Sequence, residues 1–238
     1  MLLRSDSPLK RLPPHLDRRQ MVFLDGIRHA AEIAELAYQR LRETLTLIAL
    51  TYQSELESPK SFTSAFLDAW ATVDAIDRLR GLVHLMPGVT EVSRSDGQPG
   101  FREHTQAVRD LRNVADHLAQ RVDYVIAKKS AALGILSWFT LLQAETGRGL
   151  SCVIVPGTII AHAQYHVVNP LGHAIEPPTD LVTLSAGEYS ACLSEVMREV
   201  ARVVSKFETG MDHMLESQGV LSQQAGADIL VVVEMQFH

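Results

Sequence analysis

The chain has 238 residues, of which 46% are hydrophobic and 21% are charged. These fractions are close to those of ordinary globular proteins, which excludes a disordered or fibrous structure for the bulk of the chain. The formal net charge of −6 at pH 7 means that the overall field repels phosphate. Any affinity for nucleic acid must therefore come from a local cluster of Arg and Lys.

Cysteine usage and the first residues indicate the compartment. Cys152 and Cys192 form no CxxC pair, so they predict neither a zinc site nor a disulfide framework, and free thiols suit a reducing, cytoplasmic environment. Residues 1–18 contain basic residues and prolines but no apolar stretch of signal-peptide length, which predicts a flexible leader. No run approaches the roughly 20 apolar residues of a membrane-spanning helix, so we expect no membrane contact.

Long amphipathic helices are predicted for the first half of the chain. Across residues 24–52, apolar or small side chains recur at steps of three and four, which predicts one very long helix with a single buried stripe. The same pattern predicts a second helix over residues 66–86 and, after a loop rich in Gly, Ser, Asp and Pro, a third over residues 108–129. We assign residues 19–130 to a helical bundle.

The second half of the chain has a different pattern. Residues 131–187 combine short apolar runs with Gly and Pro turns, which predicts a β-hairpin or small sheet inserted between helices. Residues 188–217 predict a helix that completes the bundle. Residues 218–238 form a C-terminal tail, in which residues 229–233 are either an added strand or a partner-binding segment. The predicted fold is mainly α, an antiparallel bundle of three or four long helices with a small inserted antiparallel β element.

The third predicted helix carries polar residues that could support chemistry. At about 100° per residue, Arg109, Asn113 and His117 lie well away from its apolar stripe, and Arg112 flanks the stripe. Two guanidinium groups and an imidazole therefore share one surface. A cation that binds phosphate and an imidazole that moves a proton are the groups that metal-free RNA cleavage requires.

The Arg-Asn-x-x-x-His pattern of Arg112, Asn113 and His117 resembles the signature of the HEPN superfamily over about residues 62–125. Many of these helical-bundle proteins are ribonucleases of toxin–antitoxin, phage-defence or RNA-processing systems. The resemblance implies that Arg112 binds the scissile phosphate, with Arg109 beside it on the RNA-binding surface. It also implies that His117 is the general acid/base and that Asn113 orients one of these two groups. It further implies a homodimer whose two copies form one active site, without metal or cofactor.

Two other interpretations of these residues remain open. The motif is also typical of a solvated helix face, on which Arg112 pairs with Asp116 one turn later. The different-class alternative is a non-catalytic, dimeric interaction module that presents the hairpin or the C-terminal tail to a protein partner. The long first helix favours this module, because its apolar stripe can extend across to a second subunit.

Other chemistries lack the residues that they need. On a strand, His162 and His166 would stand about 13 Å apart, too far to share a zinc ion. Asp74 and Asp77 do not follow the Glu-x-x-His pattern of a di-iron bundle, and Asp74 with Arg78 predicts a solvated ion pair. Motifs for nucleophilic catalysis and glycine-rich phosphate loops are also missing from the sequence. We therefore expect neither a metal nor a cofactor.

Overall fold

A computed structural model describes residues 1–12, 16–51, 62–86, 100–117, 120, 123, 131, 133–156, 165–217, 228 and 230–235. Within these residues the chain is mainly helical and contains a small antiparallel sheet, which confirms the mainly α class with a β element. The elements are a 3-10 turn (Pro8–Lys10), the helices α1 (Arg18–Thr51), α2 (Thr63–Leu85), α3 (Phe101–His104), α4 (Gln106–Asp116) and α5 (Leu193–Ser217), and the strands β1 (Ile135–Gln143), β2 (Arg148–Ile154), β3 (Thr179–Ala186) and β4 (Tyr189–Cys192).

The helices α1 and α2 form an antiparallel pair that packs along most of its length. Near one end, Gly26 lies so close to Leu82 that a Cβ at this glycine would be 3.1 Å from a Leu82 methyl carbon. Further along, the Arg40 guanidinium lies 3.3 Å from Asp68 of α2. The apolar stripe of α1 predicted from periodicity is buried against this partner and the sheet.

The four strands of the described sheet run in the order β2-β1-β3-β4, and every pairing is antiparallel. The central strand β1 is buried over most of its length, with Leu136 and Trp138 in the core. Gly149 of β2 allows the Phe139 side chain to cross it, since a Cβ there would lie 2.2 Å from the ring. Helix α5 packs against β3, while α4 packs against α2 and β4. These contacts join the sheet to the helices.

Residues 1–12 pack onto the helices instead of forming the flexible leader that their composition predicts. Leu3 and Leu9 are buried in the main core. The backbone N–H of Arg4 donates to the buried carboxylate of Glu208 at 3.0 Å. The prediction was wrong for this segment because two isolated leucines among basic and proline residues carry no periodicity, yet both are buried, Leu9 as part of the 3-10 turn.

Two predicted helix boundaries also differ from the structure. The third helix, predicted over residues 108–129, begins slightly earlier as α4 at Gln106, after the short helix α3. Helix α4 ends at Asp116, and most of the predicted continuation lies outside the described residues. On α4 the buried face includes Val114, whereas Ala115 is exposed. The last long helix begins at Leu193, because the preceding residues pair with β3 as strand β4. None of the described helices is both long and apolar enough to cross a membrane.

Candidate anion-binding site

A groove of about 660 Å³ lies between α2 and the segment formed by α3 and α4. Among the described residues that line it, five are arginine and one is acidic. In a chain whose net charge is −6, this is a local excess of positive charge. We call it the arginine groove; its lining residues are Asp77, Arg78, Arg80, Gly81, Leu82, Arg102, Arg109 and Arg112.

The pattern of buried residues on α4 directs its two arginines into this groove. Val108 and Leu111 are buried against the rest of the protein. Arg109 and Arg112 each follow one of these residues and are three positions apart, so they lie one above the other at the border of the buried face. This part of the sequence interpretation, in which both guanidinium groups share one surface of the helix, agrees with the position of both residues in the groove.

Asp77 of α2 holds both of these arginines. Its side chain is only 5% exposed, and its Oδ2 accepts hydrogen bonds from the Nη1 groups of Arg109 and Arg112, each at 2.9 Å. A single carboxylate therefore contacts both guanidinium groups. Because charge-assisted hydrogen bonds are strong and directional, this arrangement fixes the two cations in place.

Arg112 has further carboxylate partners. Its Nη2 lies 3.1 Å from Asp74, and its Nε lies 3.6 Å from Asp116. The hydrogen bond to Asp77 is the main cause that raises the pKa of Arg112, and the charges of Asp74 and Asp116 add to it against the effect of burial. The Arg112–Asp116 pair expected for a solvated helix face is therefore present, but it is the longest of three contacts. The predicted Asp74–Arg78 ion pair is also present, at 2.6 Å.

Arg80 has a different environment. It makes no ion pair with a described carboxylate; its Nη2 donates to Gln106 Oε1 at 2.7 Å, and its Nε lies 3.5 Å from the carbonyl oxygen of Arg102. Burial is the main cause that lowers the pKa of Arg80; the positive charges of Arg102 and Arg109 lower it further, while the charges of Asp77 and Asp110 raise it. Because Arg80 has cationic neighbours and no ion pair with a described carboxylate, an anion in the groove would be attracted to it.

The structure separates the remaining motif residues from the groove. His117 is exposed and forms the C-terminal cap of α4, with its backbone N–H donating to the carbonyl of Ala115. Its imidazole makes no hydrogen bond or ion pair with another described residue, and neither His117 nor Asn113 is among the described lining residues. Arg109 and Arg112 are therefore brought together, whereas His117 lies at the end of the same helix.

Sequence reasoning missed the residues that complete the groove. Asp77 was considered only as a metal ligand and rejected, and Arg80 and Arg102 were not singled out. The available signal was the run Asp77-Arg78-Leu79-Arg80, which places charges at three of four consecutive positions of α2. That signal identifies a polar edge of α2 but does not tell which helix faces it.

The dismissed metal candidates add no second site. Within the described part of the chain, no three His, Cys, Asp or Glu side chains cluster so that they could hold a metal ion. His162 lies outside the described residues, and His166 is exposed. Comparison of the chain with models of protein families, with curated proteins and with solved structures finds no match in any of the three.

Proposed function

We propose that the protein is a HEPN-like, metal-independent endoribonuclease of the cytoplasm, acting in a toxin–antitoxin or phage-defence system. The observation that supports this proposal is the arginine groove, because it contains Arg109 and Arg112, the two residues assigned to RNA binding from the sequence. In this proposal the long helices α1, α2 and α5, together with α4, correspond to the antiparallel bundle of three or four helices, and the protein acts as a homodimer.

The groove supplies the contacts that an RNA backbone needs. Guanidinium groups bind phosphate oxygens through paired N–H donors, and several of them along one groove neutralise successive phosphates. Arg109 and Arg112 are held by Asp77 and position the strand. Arg80 and Arg102 have no carboxylate partner among the described residues, so their donors bind phosphate without breaking an ion pair.

His117 supplies the proton transfers in this proposal. It lies five residues after Arg112, about 7.5 Å further along the helix axis and about 140° around it, so a strand bound in the groove must cross the end of α4 to reach it. The imidazole removes the proton of the ribose 2′-OH, or protonates the leaving 5′ oxygen, while Arg112 stabilises charge on the phosphate. Asn113, half-buried on the same helix, orients the strand or the imidazole.

Cleavage of RNA in EDTA tests this function. Purified protein is incubated with mixed structured and single-stranded RNA beside His117→Ala, Arg112→Ala and, as a matched control, His173→Ala, another exposed histidine. We expect cleavage by the wild type and by the control variant, and none by the other two. His117→Ala should still bind RNA, because it leaves the groove intact. Equal cleavage by His117→Ala, or no cleavage by the wild type, contradicts the proposal.

Mixing the two inactive variants then tests how the site is assembled. Arg112 and His117 belong to one helix, so we place both in the site of a single chain, and a mixture of Arg112→Ala with His117→Ala should remain inactive. The HEPN resemblance, in contrast, implies a site shared between two copies. Recovered cleavage in the mixture would show that the arginine and the histidine come from different chains.

The second candidate function is the non-catalytic interaction module, and one observation favours it. In the C-terminal tail, the described residues 230–233 form no strand, and their side chains (Leu230, Val231, Val232 and Val233) are each at least 74% exposed. An apolar run of this kind commonly binds a partner by adding a strand or filling a groove. Deletion of residues 229–238 separates the two functions, because the ribonuclease keeps its cleavage activity and the module loses its binding segment.

A further inference from the structure

The outer side of α1 carries a second apolar stripe. Ile33, Leu36, Leu47 and Leu50 are each 48% to 63% exposed. At about 100° per residue they lie within an arc of roughly 100°, on the side of the helix opposite the buried stripe. Isolated exposed leucines are ordinary, but a row of them along one helix face marks an interaction surface.

Two charged residues occupy the middle of this row. Arg40 and Glu43 fall in the same arc, and both are exposed. The spacing of the six residues is three, four, three, four, three, which is the spacing of coiled-coil contact positions and is identical when read in either direction. We call this set the outer stripe; it consists of Ile33, Leu36, Arg40, Glu43, Leu47 and Leu50.

We propose that the outer stripe binds the outer stripe of a second copy of this chain, with the two helices antiparallel. A two-fold axis midway between positions 40 and 43 places Arg40 opposite Glu43 of the partner subunit. The same axis pairs position 36 with position 47 of the other copy, and position 33 with position 50. Each contact occurs twice, as a two-fold interface requires.

The charges of Arg40 and Glu43 favour a second copy of the chain as the partner, and they favour the antiparallel direction. A parallel arrangement in register would place the two Arg40 side chains together and the two Glu43 side chains together, and like charges at an interface cost affinity. An antiparallel second copy instead forms two opposite-charge pairs at the centre, flanked by apolar contacts. Glu43 makes no ion pair with another described residue, so its carboxylate is available. Arg40 contacts Asp68 of its own chain at 3.3 Å.

This surface is separate from the arginine groove. The described lining residues of the groove come from α2, α3 and α4, and none comes from α1. Association through α1 therefore leaves the groove open. The inference does not depend on RNA cleavage, and a ribonuclease that fails in every cleavage assay could still associate in this way.

Measurement of the molar mass by light scattering, over a range of protein concentrations, tests the surface. We expect a wild-type dimer whose dissociation constant rises about a hundredfold in Leu36→Lys, since each dimer loses two buried leucines. Leu85→Lys is the matched control, because Leu85 is an equally exposed leucine at the end of α2, and it should leave the dimer intact. Circular dichroism verifies the fold of each variant.

Cysteine cross-linking tests the direction and does not depend on a disruptive substitution. Under mild oxidation, a mixture of Leu36→Cys and Leu47→Cys chains should form the mixed disulfide. Neither variant should cross-link to itself, because identical positions would be about 16 Å apart along the antiparallel helices, well beyond disulfide reach. The wild type controls for Cys152 and Cys192, both half-buried.

Three results would overturn the inference. The first is a monomeric wild type, which would also result if the chain's own tail covered the stripe. The second is a dimer that persists in Leu36→Lys. The third is a disulfide between two Leu36→Cys chains, which indicates a parallel pair. RNA cleavage is measured on the same samples. If Leu36→Lys cleaves RNA as well as the wild type does, the interface and the ribonuclease activity are independent. A failure of one then does not count against the other.

Discussion

Two clusters of arginine and aspartate in this protein differ in how their charges are balanced. In the first, between α5 and the sheet, the buried Asp180 accepts hydrogen bonds from the backbone N–H groups of Glu176 and Leu181 and from the Arg198 guanidinium. We call this the Asp180 cluster. In the arginine groove, the donors that the described residues offer to the side chain of the buried Asp77 are arginines, and several more arginines surround it.

A second arginine beside the Asp180 cluster, Arg42, also has its hydrogen-bond donors occupied by acceptors of the chain. The Nε of Arg42 donates to the carbonyl of Thr179 at 2.8 Å, its Nη1 to Glu176 Oε1 at 3.0 Å, and its Nη2 to the carbonyls of Glu176 and Pro177, each at 3.0 Å. All three nitrogens of this guanidinium are occupied by acceptors of the chain itself. An arginine in that condition holds a loop in place. In the arginine groove, Arg80 and Arg102 have no carboxylate partner among the described residues and keep donors for a ligand. All three nitrogens of Arg112 lie within 3.6 Å of carboxylates, so a phosphate must share this arginine with them.

The largest expected effect is that of Asp180→Ala. This change leaves the buried backbone N–H of Leu181, the backbone N–H of Glu176 and the partly exposed Arg198 guanidinium without their acceptor. We therefore expect the free energy of unfolding to fall by about 3 kcal/mol. Urea denaturation measures it. The exposed Glu195 on α5, the helix that carries Arg198, provides the control, since Glu195→Ala should change stability by less than about 0.5 kcal/mol.

Asp77→Ala should have a smaller effect that an added anion reverses. Loss of this carboxylate leaves Arg109 and Arg112 facing each other, and we expect the free energy of unfolding to fall by about 2 kcal/mol at low salt. Sulfate can enter the open groove and replace the lost charge, whereas the side chain of Asp180 is only 2% exposed, which leaves the anion less room at that cluster. Sulfate should therefore restore Asp77→Ala more than Asp180→Ala. Equal restoration of the two variants would remove the distinction between the clusters.

The pH dependence of stability reports on Tyr38, which lies beside the Asp180 cluster with its ring 6.0 Å from the Arg42 guanidinium carbon. Burial raises the pKa of Tyr38 to about 12, and its hydroxyl donates to Ser194 at 2.7 Å. A pKa raised in the folded state gives stability that is complete below about pH 10 and is lost as the pH rises towards about 12.

We expect the free energy of unfolding to fall by about 1 to 2 kcal/mol across that interval because of Tyr38 alone. In Tyr38→Phe the hydrogen bond is lost, so stability starts lower, and its decrease with pH should be shallower than in the wild type. Denaturant titrations at pH 9 and pH 11.5 measure the difference. Tyr165→Phe, at an exposed tyrosine, is the control, and an identical slope in both variants would contradict the assignment.

The smallest expected change in stability belongs to Arg80→Gln. Because Arg80 lies among other cations, its loss should leave the free energy of unfolding unchanged or raise it by a few tenths of a kcal/mol. RNA binding should weaken several-fold, and the slope of log affinity against log salt should decrease by about 1, as for one lost phosphate contact. Arg202→Gln on α5 is the control. Weaker folding with unchanged RNA affinity would assign Arg80 to structure and not to binding.

Local patterns explain why much of the fold could be predicted. The three-four spacing of apolar residues reports which face of a helix is buried, and it identified α1, α2 and α5 as well as the change to β structure after residue 131. The same reasoning placed Arg109 and Arg112 on one surface. Each of these conclusions depends on residues within a few positions of each other, and such information is contained in the sequence itself.

The candidate site and the packing of the chain's first residues depend on contacts over long sequence distances. Asp77 meets Arg109 and Arg112 across 32 and 35 residues, and Arg4 meets Glu208 across 204 residues. Local periodicity carries no information about which helix edges face each other, because that is set by how all buried stripes pack together. The sequence alone determined the elements and two cations of the site; only the tertiary structure decided that α2 completes the groove and that His117 lies outside it.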